Sequence, residues 1–272
     1  VYVGGGTPTL ALDSVARIID RVRSRFRMSG DLAIETNPAD VDETAVSRLT
    51  DMGVALVSLG VQSFSEARLR LIGRTYGPAE AERALARLAS AGFATVNADL
   101  MFALPGQSAA DLVTDLDRAA DLGASQVTAY PLFTFPYTSV GRYRRLKEVR
   151  LPDFRARRAQ YRAACRWSAR RGFERVSVWG FTKDGAPRYS SVTRDRYIGI
   201  GPGAGSHLPG GFAFNSFDYA TWARTAAAGD STVALWMPFS TALAGWWWLY
   251  WRLYDTRIPL DQLGDTLGRD AR

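Results

Sequence analysis

Cysteine, histidine and lysine are scarce in this chain of 272 residues. Cys165 is the only cysteine, so no disulfide can form within the chain, and this usage favours a cytoplasmic protein. The net charge of +7 comes almost entirely from arginine, because Lys147 and Lys183 are the only lysines. The arginines are spread along predicted helices rather than clustered, which argues against a nucleic-acid partner.

Long apolar runs are also missing. The densest run, at residues 246–251, is far shorter than the roughly 20 residues that a membrane-spanning helix needs, and Arg252 follows it. We therefore expect no membrane partner. The apolar content of 47% is enough to bury a large core in one domain or slightly more.

The chain opens with a short run of strand-forming residues, Val1 to Val3, followed by three glycines. Thr7 and Pro8 come next, where a helix would begin, since proline suits the first helical turn and threonine can cap it. Adjacent glycines let the backbone approach a ligand closely and leave amide groups free to point at it. The pattern predicts a ligand-binding loop at the carboxyl end of a strand; a plain turn is the alternative.

Strands and helices then alternate regularly up to about residue 130. This spacing is typical of βαβ units, which form a parallel sheet. Five such strands without the fingerprint of a doubly wound sheet predict an α/β fold that is most of a (β/α) barrel, closed or partly open. Predicted strands cover residues 1–6, 32–36, 54–62, 94–101 and 126–130; predicted helices cover residues 10–28, 42–52, 78–91 and 108–122, with another ending near residue 72.

After residue 140 the pattern changes. An arginine-rich amphipathic helix is predicted at 153–171, a strand at 174–181, and helices at 216–228 and 239–251. We therefore expect three parts: a partial barrel at 1–140, a barrel extension at 141–215, and the start of a helical C-terminal domain at 216–272 that is itself truncated.

Polar residues occur at or near the predicted strand ends, where α/β barrels form their active sites. They are Gly4 to Thr7, Glu35, Gln62, Asp99 and Tyr130. Each alone would more often serve a helix cap or a turn, but five positions on successive strands favour one shared site. Glu35 and Asp99 would also suit an acid–base pair of the glycosidase kind, which leaves a metal-free hydrolase open.

Several sequence blocks keep the order and spacing of one known family. They are Gly-Gly-Gly-Thr-Pro at 4–8, Ile-Glu-Thr-Asn-Pro at 34–38, Ser-Leu-Gly-Val-Gln-Ser-Phe at 58–64, Arg74, Asn-Ala-Asp-Leu-Met at 97–101, and Leu-Pro-Gly at 104–106. A glycine-rich block at 197–207 follows later. Together they resemble the radical S-adenosylmethionine family around oxygen-independent coproporphyrinogen III oxidase, whose fold is a partial (β/α) barrel.

The resemblance implies two bound molecules of S-adenosylmethionine. For the first molecule, it implies that Gly4, Gly5, Gly6 and Thr7 form a loop that holds the amino end, and that the Glu35 carboxylate lies beside this loop. It also implies that Gln62 reaches the ribose hydroxyls, that Arg74 pairs with the ligand's carboxylate, and that Asp99 is a further polar residue of the pocket. The region that lines the second molecule is matched by Gly199, Gly201, Gly203 and Ala204.

The family also holds a [4Fe–4S] cluster with three cysteines just upstream of the glycine loop, and such clusters need thiolate ligands. Cys165 lies far downstream on a predicted helix, where a small buried apolar side chain is the better interpretation. We therefore expect no metal ligand in this chain, a first strand and cluster loop that precede Val1, and no cluster-dependent activity of this fragment alone.

Three functions within the family stay open. Haem chaperones carry a His-Asn pair before the late glycine block, whereas residues 187–194 contain no histidine. His207, the only histidine, follows the block, and a surface or capping role is its simpler interpretation. Residues 130–137, 178–181 and 187–194 look more like the HemN-like methyltransferases of natural-product pathways, and 130–137 depart from the porphyrinogen oxidase pattern.

The methyltransferase resemblance implies a specific chemistry. A reduced cluster would cleave one S-adenosylmethionine to a radical that takes hydrogen from the methyl group of the second, and the resulting methylene radical would add to an sp² carbon. The substrate would be a small aromatic or heteroaromatic molecule, and the electron donor a protein such as flavodoxin or ferredoxin. Phe133, Phe135, Tyr137 and Trp179 would wall a planar substrate, with core packing as an equal alternative for each.

Overall fold

The computed structural model describes residues 1–133, 150–190 and 195–267. Its contacts divide the chain into two compact units, Val1–Tyr189 and Ser190–Arg272. The domain boundaries predicted near residues 140 and 215 stay predictions. Residue 140 lies outside the described residues. Within the described residues, no helix is long and apolar enough to cross a bilayer.

Five parallel strands form the centre of the first unit. They lie side by side in chain order, and each is hydrogen-bonded to the next. This confirms the predicted α/β fold with a partial barrel, although the first strand is shorter than predicted. The strands are β1 (Tyr2–Val3), β2 (Ala33–Thr36), β3 (Leu56–Gln62), β4 (Thr95–Phe102) and β5 (Gln126–Pro131).

Helices connect the strands close to the predicted positions. They are α1 (Leu12–Arg23), α2 (Glu43–Asp51), α3 (Glu66–Leu71), α4 (Pro78–Ser90) and α5 (Ala109–Asp121). The first begins later than predicted, since Pro8–Ala11 forms a short 3-10 helix instead. Pro8 occupies the first turn of that helix as expected, but the Thr7 side chain accepts no capping hydrogen bond, so the predicted side-chain cap is wrong.

The chain after residue 150 extends the sheet with a hairpin. Helix α6 (Phe154–Arg170) agrees with the prediction, but the single strand predicted at 174–181 is wrong. The segment forms β6 (Phe173–Arg175) and β7 (Gly180–Lys183), which pair antiparallel, and β7 also pairs antiparallel with β5. The turn closes through Ser177, whose Oγ accepts a hydrogen bond from Gly180 N at 2.9 Å.

Side-chain alternation gives this sheet one apolar face and one polar face. The apolar core lies between the sheet and the helices, and Val96, Ala98 and Leu100 of β4 belong to it. The intervening residues Asn97 and Asp99 therefore project to the opposite face. The same alternation on β2 and β3 puts Glu35 and Ser58 beside them, since Glu35 is in register with Ser58 and Ser58 with Asn97.

The second unit is built on a three-stranded antiparallel sheet that the sequence did not predict. Its strands are β8 (Gly205–Leu208), β9 (Gly211–Asn215) and β10 (Val233–Pro238), with β9 in the middle. The helices α7 (Tyr219–Ala227) and α8 (Thr241–Tyr254) confirm the predicted pair, and α9 (Leu260–Leu267) follows.

Candidate functional site

The glycine loop follows β1 directly and lies beside Glu35 of β2. The Tyr2 hydroxyl donates a hydrogen bond to one Glu35 carboxylate oxygen, and Gly5 N donates to the other at 3.2 Å. A Cβ on Gly4 would lie 2.1 Å from the Tyr2 hydroxyl, whereas Gly5 and Gly6 have no neighbouring atoms within 4 Å of a Cβ position. Gly5 has a φ of +99°, which favours glycine. The loop therefore places the Glu35 carboxylate next to backbone that has open space around it, as a ligand-binding loop requires.

Asp99 sits at the centre of a hydrogen-bond network on the polar face of the sheet. Ser58 Oγ donates to Asp99 Oδ2 at 3.0 Å, and Asn97 Nδ2 donates to Asp99 Oδ1 at 2.9 Å. Asn97 Nδ2 also donates to Ser58 Oγ at 2.7 Å, and its carbonyl oxygen accepts from Thr128 Oγ1 at 2.9 Å. Both carboxylate oxygens of Asp99 are thus held in place, one by Ser58 of the neighbouring strand β3 and the other by Asn97 of β4 itself.

Burial outweighs these hydrogen bonds in setting the ionisation of Asp99. Desolvation raises its pKa, the hydrogen bonds from Ser58 and Asn97 lower it, and the charge of Glu35 adds a smaller increase, so that the net pKa is about 7. Asp99 therefore lies near the midpoint of its titration at neutral pH. A cation bound beside it would favour the ionised form and release a proton.

Gln62 ends β3 in a backbone conformation that is unusual for its residue type. Its φ is +65°, and the register of β3 against β4 shifts between Leu59 and Gln62. The side chain is buried, and its Oε1 accepts a hydrogen bond from the Tyr130 hydroxyl at 2.7 Å. Tyr76 braces the same strand end by donating to Gly60 O at 2.5 Å. Strained positions of this kind concentrate at functional sites.

Arg74 lies close to this group. Its charge lowers the pKa of Tyr130 and of Tyr76, although burial is the larger effect and raises both, that of Tyr76 to about 12. Among the residues that the structure describes, Arg74 forms no ion pair within 4.0 Å. Arg74 is half-buried, and its charge is not compensated by an ion pair within the described part of the chain.

One supporting residue of this site is not evident from the sequence. Asp115 of α5 is 4% exposed, and it accepts hydrogen bonds from Ser63 Oγ at 2.8 Å and from Phe64 N at 3.1 Å. It thereby fixes the two residues that follow Gln62. Burial raises the pKa of this carboxyl group. Nothing in the spacing of α5 distinguishes Asp115 from the other aspartates of that helix, so only the structure reveals its role.

The later glycine block is a compact loop of the second unit. Asn215 Nδ2 donates to Gly201 O at 2.9 Å and to Gly199 O at 3.3 Å, and Ser206 Oγ accepts from Gly199 N at 2.9 Å. A Cβ on Gly199 would lie 2.1 Å from Gly205 O, so no larger residue fits there without a backbone shift. Gly203 has a φ of +67°, and Ala204 N donates to Gly201 O. The bracing residue Asn215 was not among the sequence candidates.

The residues of the first unit fit the groups of S-adenosylmethionine. Glu35 and Asp99 suit its positive charges, Arg74 suits its carboxylate, and the buried Gln62 amide suits ribose hydroxyls. The described residues do not fit a [4Fe–4S] cluster, because among them no group of three or more His, Cys, Asp or Glu side chains is arranged to hold a metal ion. Cys165 is half-buried on α6 against the main core, as expected for an apolar side chain.

The predicted aromatic wall is only partly visible. Trp179 packs against Phe102 and Tyr161, with ring centroids 5.7 and 5.5 Å away, on the side of the sheet that α6 covers. Core packing, the alternative for this residue, therefore explains its position. Phe133 is 52% exposed at the end of β5. Phe135 and Tyr137 lie outside the described residues.

The raised pKa of Asp99 predicts how stability depends on pH. In the unfolded chain the carboxyl group has a pKa of about 3.9 and ionises at lower pH than in the folded protein. The folded state therefore binds more protons between about pH 4 and 7, and the free energy of unfolding falls as pH rises through this range, by up to about 1.4 kcal/mol per pH unit.

Asp99→Asn removes the titrating group, so wild type should lose unfolding free energy relative to this variant from pH 5 to pH 7. Above pH 7 this loss should level off. Urea unfolding followed by circular dichroism measures it. A difference that stays constant across the range would contradict the assignment.

Comparison with known proteins agrees with the resemblance at the level of superfamily and fold. The Radical SAM superfamily profile matches residues 1–119. The crystal structure of the coproporphyrinogen III oxidase HemN from Escherichia coli superposes with a TM-score of 0.83 at 17% sequence identity, covering 98% of this chain and 65% of that chain.

Curated relatives include both chaperones and an enzyme. Heme chaperone HemW of Lactococcus lactis is 30% identical over 216 residues, which are 77% of this chain and 57% of that protein. HemW of Escherichia coli K12 is 32% identical, over 75% of this chain and 54% of that protein. Anaerobilin synthase of Escherichia coli O157:H7 is 30% identical over 271 residues, 97% of this chain and 61% of that protein. The chain thus spans little more than half the length of these relatives. Residues 1–119 match the Radical SAM superfamily, and the chain has a HemN-like fold.

Proposed function

We propose that this chain is the cofactor-binding part of a cytoplasmic, HemN-like radical S-adenosylmethionine enzyme that binds two molecules of S-adenosylmethionine. It transfers a methyl or methylene group from the second molecule to an sp² carbon of a small aromatic or heteroaromatic substrate. An oxidase of the porphyrinogen type and a haem chaperone are the alternatives within the same group.

The observation that carries the proposal is the presence of two separate glycine loops, each braced by polar side chains. The first, Gly4 to Gly6, lies beside Glu35, and the second, Gly199 to Gly203, is held by Asn215. Loops of this kind present backbone groups to small ligands. One S-adenosylmethionine would serve as the radical source and the other as the group donor, which explains the need for two loops.

The residues of the first site would orient their ligand rather than take part in bond breaking. Arg74 would pair with the carboxylate of S-adenosylmethionine, Glu35 would accept from its amino group, and Gln62 would accept from a ribose hydroxyl. Asp99, ionised when a positive charge lies near it, would add to this selectivity. The chemistry that S-adenosylmethionine supplies when bound is a transferable methyl group and a cleavable carbon–sulfur bond.

The relatives support an enzyme at least as well as a chaperone. The anaerobilin synthase aligns with 97% of this chain, whereas the two HemW chaperones align with 75–77% of it. An alignment over nearly the whole chain must include the second glycine loop. This is the part of the sequence on which the second cofactor site depends.

The proposal predicts that the full-length protein binds two molecules of S-adenosylmethionine per chain. Gln62→Ala should weaken the first site about tenfold, because a buried polar partner is lost. Ala204→Trp should remove the second site by filling the loop. Isothermal titration calorimetry under anaerobic conditions measures both the stoichiometry and the affinities.

Matched controls are available in the exposed parts of the second unit. Gln262→Ala on α9 and Ala228→Trp at the end of α7 make the same chemical changes at exposed positions that belong to neither loop, and both should leave binding unchanged. A wild-type stoichiometry of one, with Ala204→Trp equal to wild type, would contradict the two-site proposal.

A second candidate function, haem binding, is favoured by the setting of His207. Its Nδ1 is 3.0 Å from Asp195 O, and since a carbonyl only accepts, Nδ1 is the donor of this bond and Nε2 is the ring nitrogen left for a ligand. Phe239 and Trp247 lie beside the ring, with centroids 5.8 and 5.5 Å away. An imidazole that is oriented through Nδ1 and lies beside aromatic rings is suited to bind haem iron through Nε2.

Haem titration tests this candidate. If His207 is an axial ligand, wild type should shift the Soret band of haem, and His207→Ala should lose that shift while Gln62→Ala keeps it. An absorbance change that is the same in His207→Ala and wild type would exclude His207 as a ligand.

A further inference from the structure

Helix α6 carries six arginines and no acidic residue. Its buried face is made of Gln160, Ala163, Ala164, Trp167 and Ser168. Five arginines on the opposite face are exposed and follow one another at three or four residues, about one helical turn. They form a single row about 22 Å long at 1.5 Å rise per residue. This row, the arginine face, consists of Arg155, Arg158, Arg162, Arg166 and Arg170.

The charges of the arginine face are not neutralised by the described part of the protein. None of its five residues takes part in an ion pair within 4.0 Å there. The carboxylates of the neighbouring helix α5 pair elsewhere: Asp111 binds Arg68, and Asp117 and Asp121 bind Arg171. The arginine face therefore presents uncompensated positive charge to solvent.

This arrangement works against the stability of the helix. Arg158, Arg162, Arg166 and Arg170 follow one another at four-residue spacing, where like charges destabilise a helix. Other helices of the first unit mix both signs; α4, for example, carries Glu80, Glu82, Arg83 and Arg87. A row of repelling charges with no internal partner is better explained by an external acidic one.

The position of α6 relates this face to the cofactor edge of the sheet. Gln160 accepts a hydrogen bond from Ala103 N at 2.9 Å and donates to Gln107 O at 2.6 Å, both in the segment that follows β4. The amino-terminal half of α6 is thus fixed at the edge where the parallel strands end. Four arginines of the face also line a shallow groove with Ala109, the first residue of α5.

We infer that the arginine face is the docking surface for a small acidic electron-carrier protein of the flavodoxin or ferredoxin type. Its charge complements closely spaced carboxylates on such a protein, which would also speed association. The row is confined to one helix and is only about 22 Å long, which suits the surface of a small protein better than a continuous phosphate backbone. The inference rests on the proposed function, because a radical S-adenosylmethionine enzyme requires a reductant.

The test is the binding of oxidised flavodoxin and ferredoxin to the full-length protein, measured by surface plasmon resonance at low and high salt. Arg158→Glu/Arg162→Glu should weaken binding about tenfold at low salt and reduce its salt dependence. The matched control is Arg21→Glu/Arg83→Glu, which makes the same change in net charge on exposed positions of α1 and α4. This control should bind as wild type does.

Three results would overturn the inference: binding of neither carrier by wild type, an equal loss in the control variant, or displacement of the carrier by duplex DNA or anionic lipid vesicles at comparable concentration. The titration of S-adenosylmethionine keeps the two proposals apart. A variant of the arginine face should bind S-adenosylmethionine as wild type does, whereas failure of the proposed function would appear as loss of that binding in wild type itself.

Discussion

The first unit depends on the hydrogen bonding of one partly buried carboxylate. Asp99 lies on the polar face of a parallel sheet, where desolvation opposes its ionisation and Ser58 and Asn97 support it. A carboxylate in such a setting is tolerated only if its oxygens have partners. Those partners come from β3 and β4, so the network also fixes strand register. A slip by one residue would move Asp99 to the apolar face and bury it among the helices.

The site is assembled from the ends of these strands and is supported from the helix side. Gln62 adopts a positive φ at the end of β3, and it is held there by Tyr130 from β5 and, through the following residues, by Asp115 from α5. The glycine loop contributes Gly5 N to Glu35. Residues that contact a ligand at this edge would thus be oriented by a second set of residues that the ligand never touches, which is the usual basis of a preorganised site.

Much of this arrangement can be predicted from the sequence. The alternation of strands and helices predicts the parallel sheet because each element carries its own period of apolar residues. The predicted strand ends then identify Glu35, Gln62 and Asp99 as candidate site residues. Short elements are harder to predict. The strands β6 and β7 are too brief to show a period, and the hydrogen bond between Ser177 and Gly180 that closes their turn is not evident from the sequence. The bracing roles of Asp115 and Asn215 cannot be read from sequence, because each depends on contacts between residues distant in the chain.

The central claim is that the strand ends of the first unit bind S-adenosylmethionine. The most direct test is a crystal structure of the full-length protein with the selenium analogue of S-adenosylmethionine, in which anomalous scattering locates the selenium atom. The account predicts a selenium peak beside Gly5, with the ligand's carboxylate at Arg74 and its ribose at Gln62. Crystals saturated with the analogue that show selenium only away from these strand ends would contradict it.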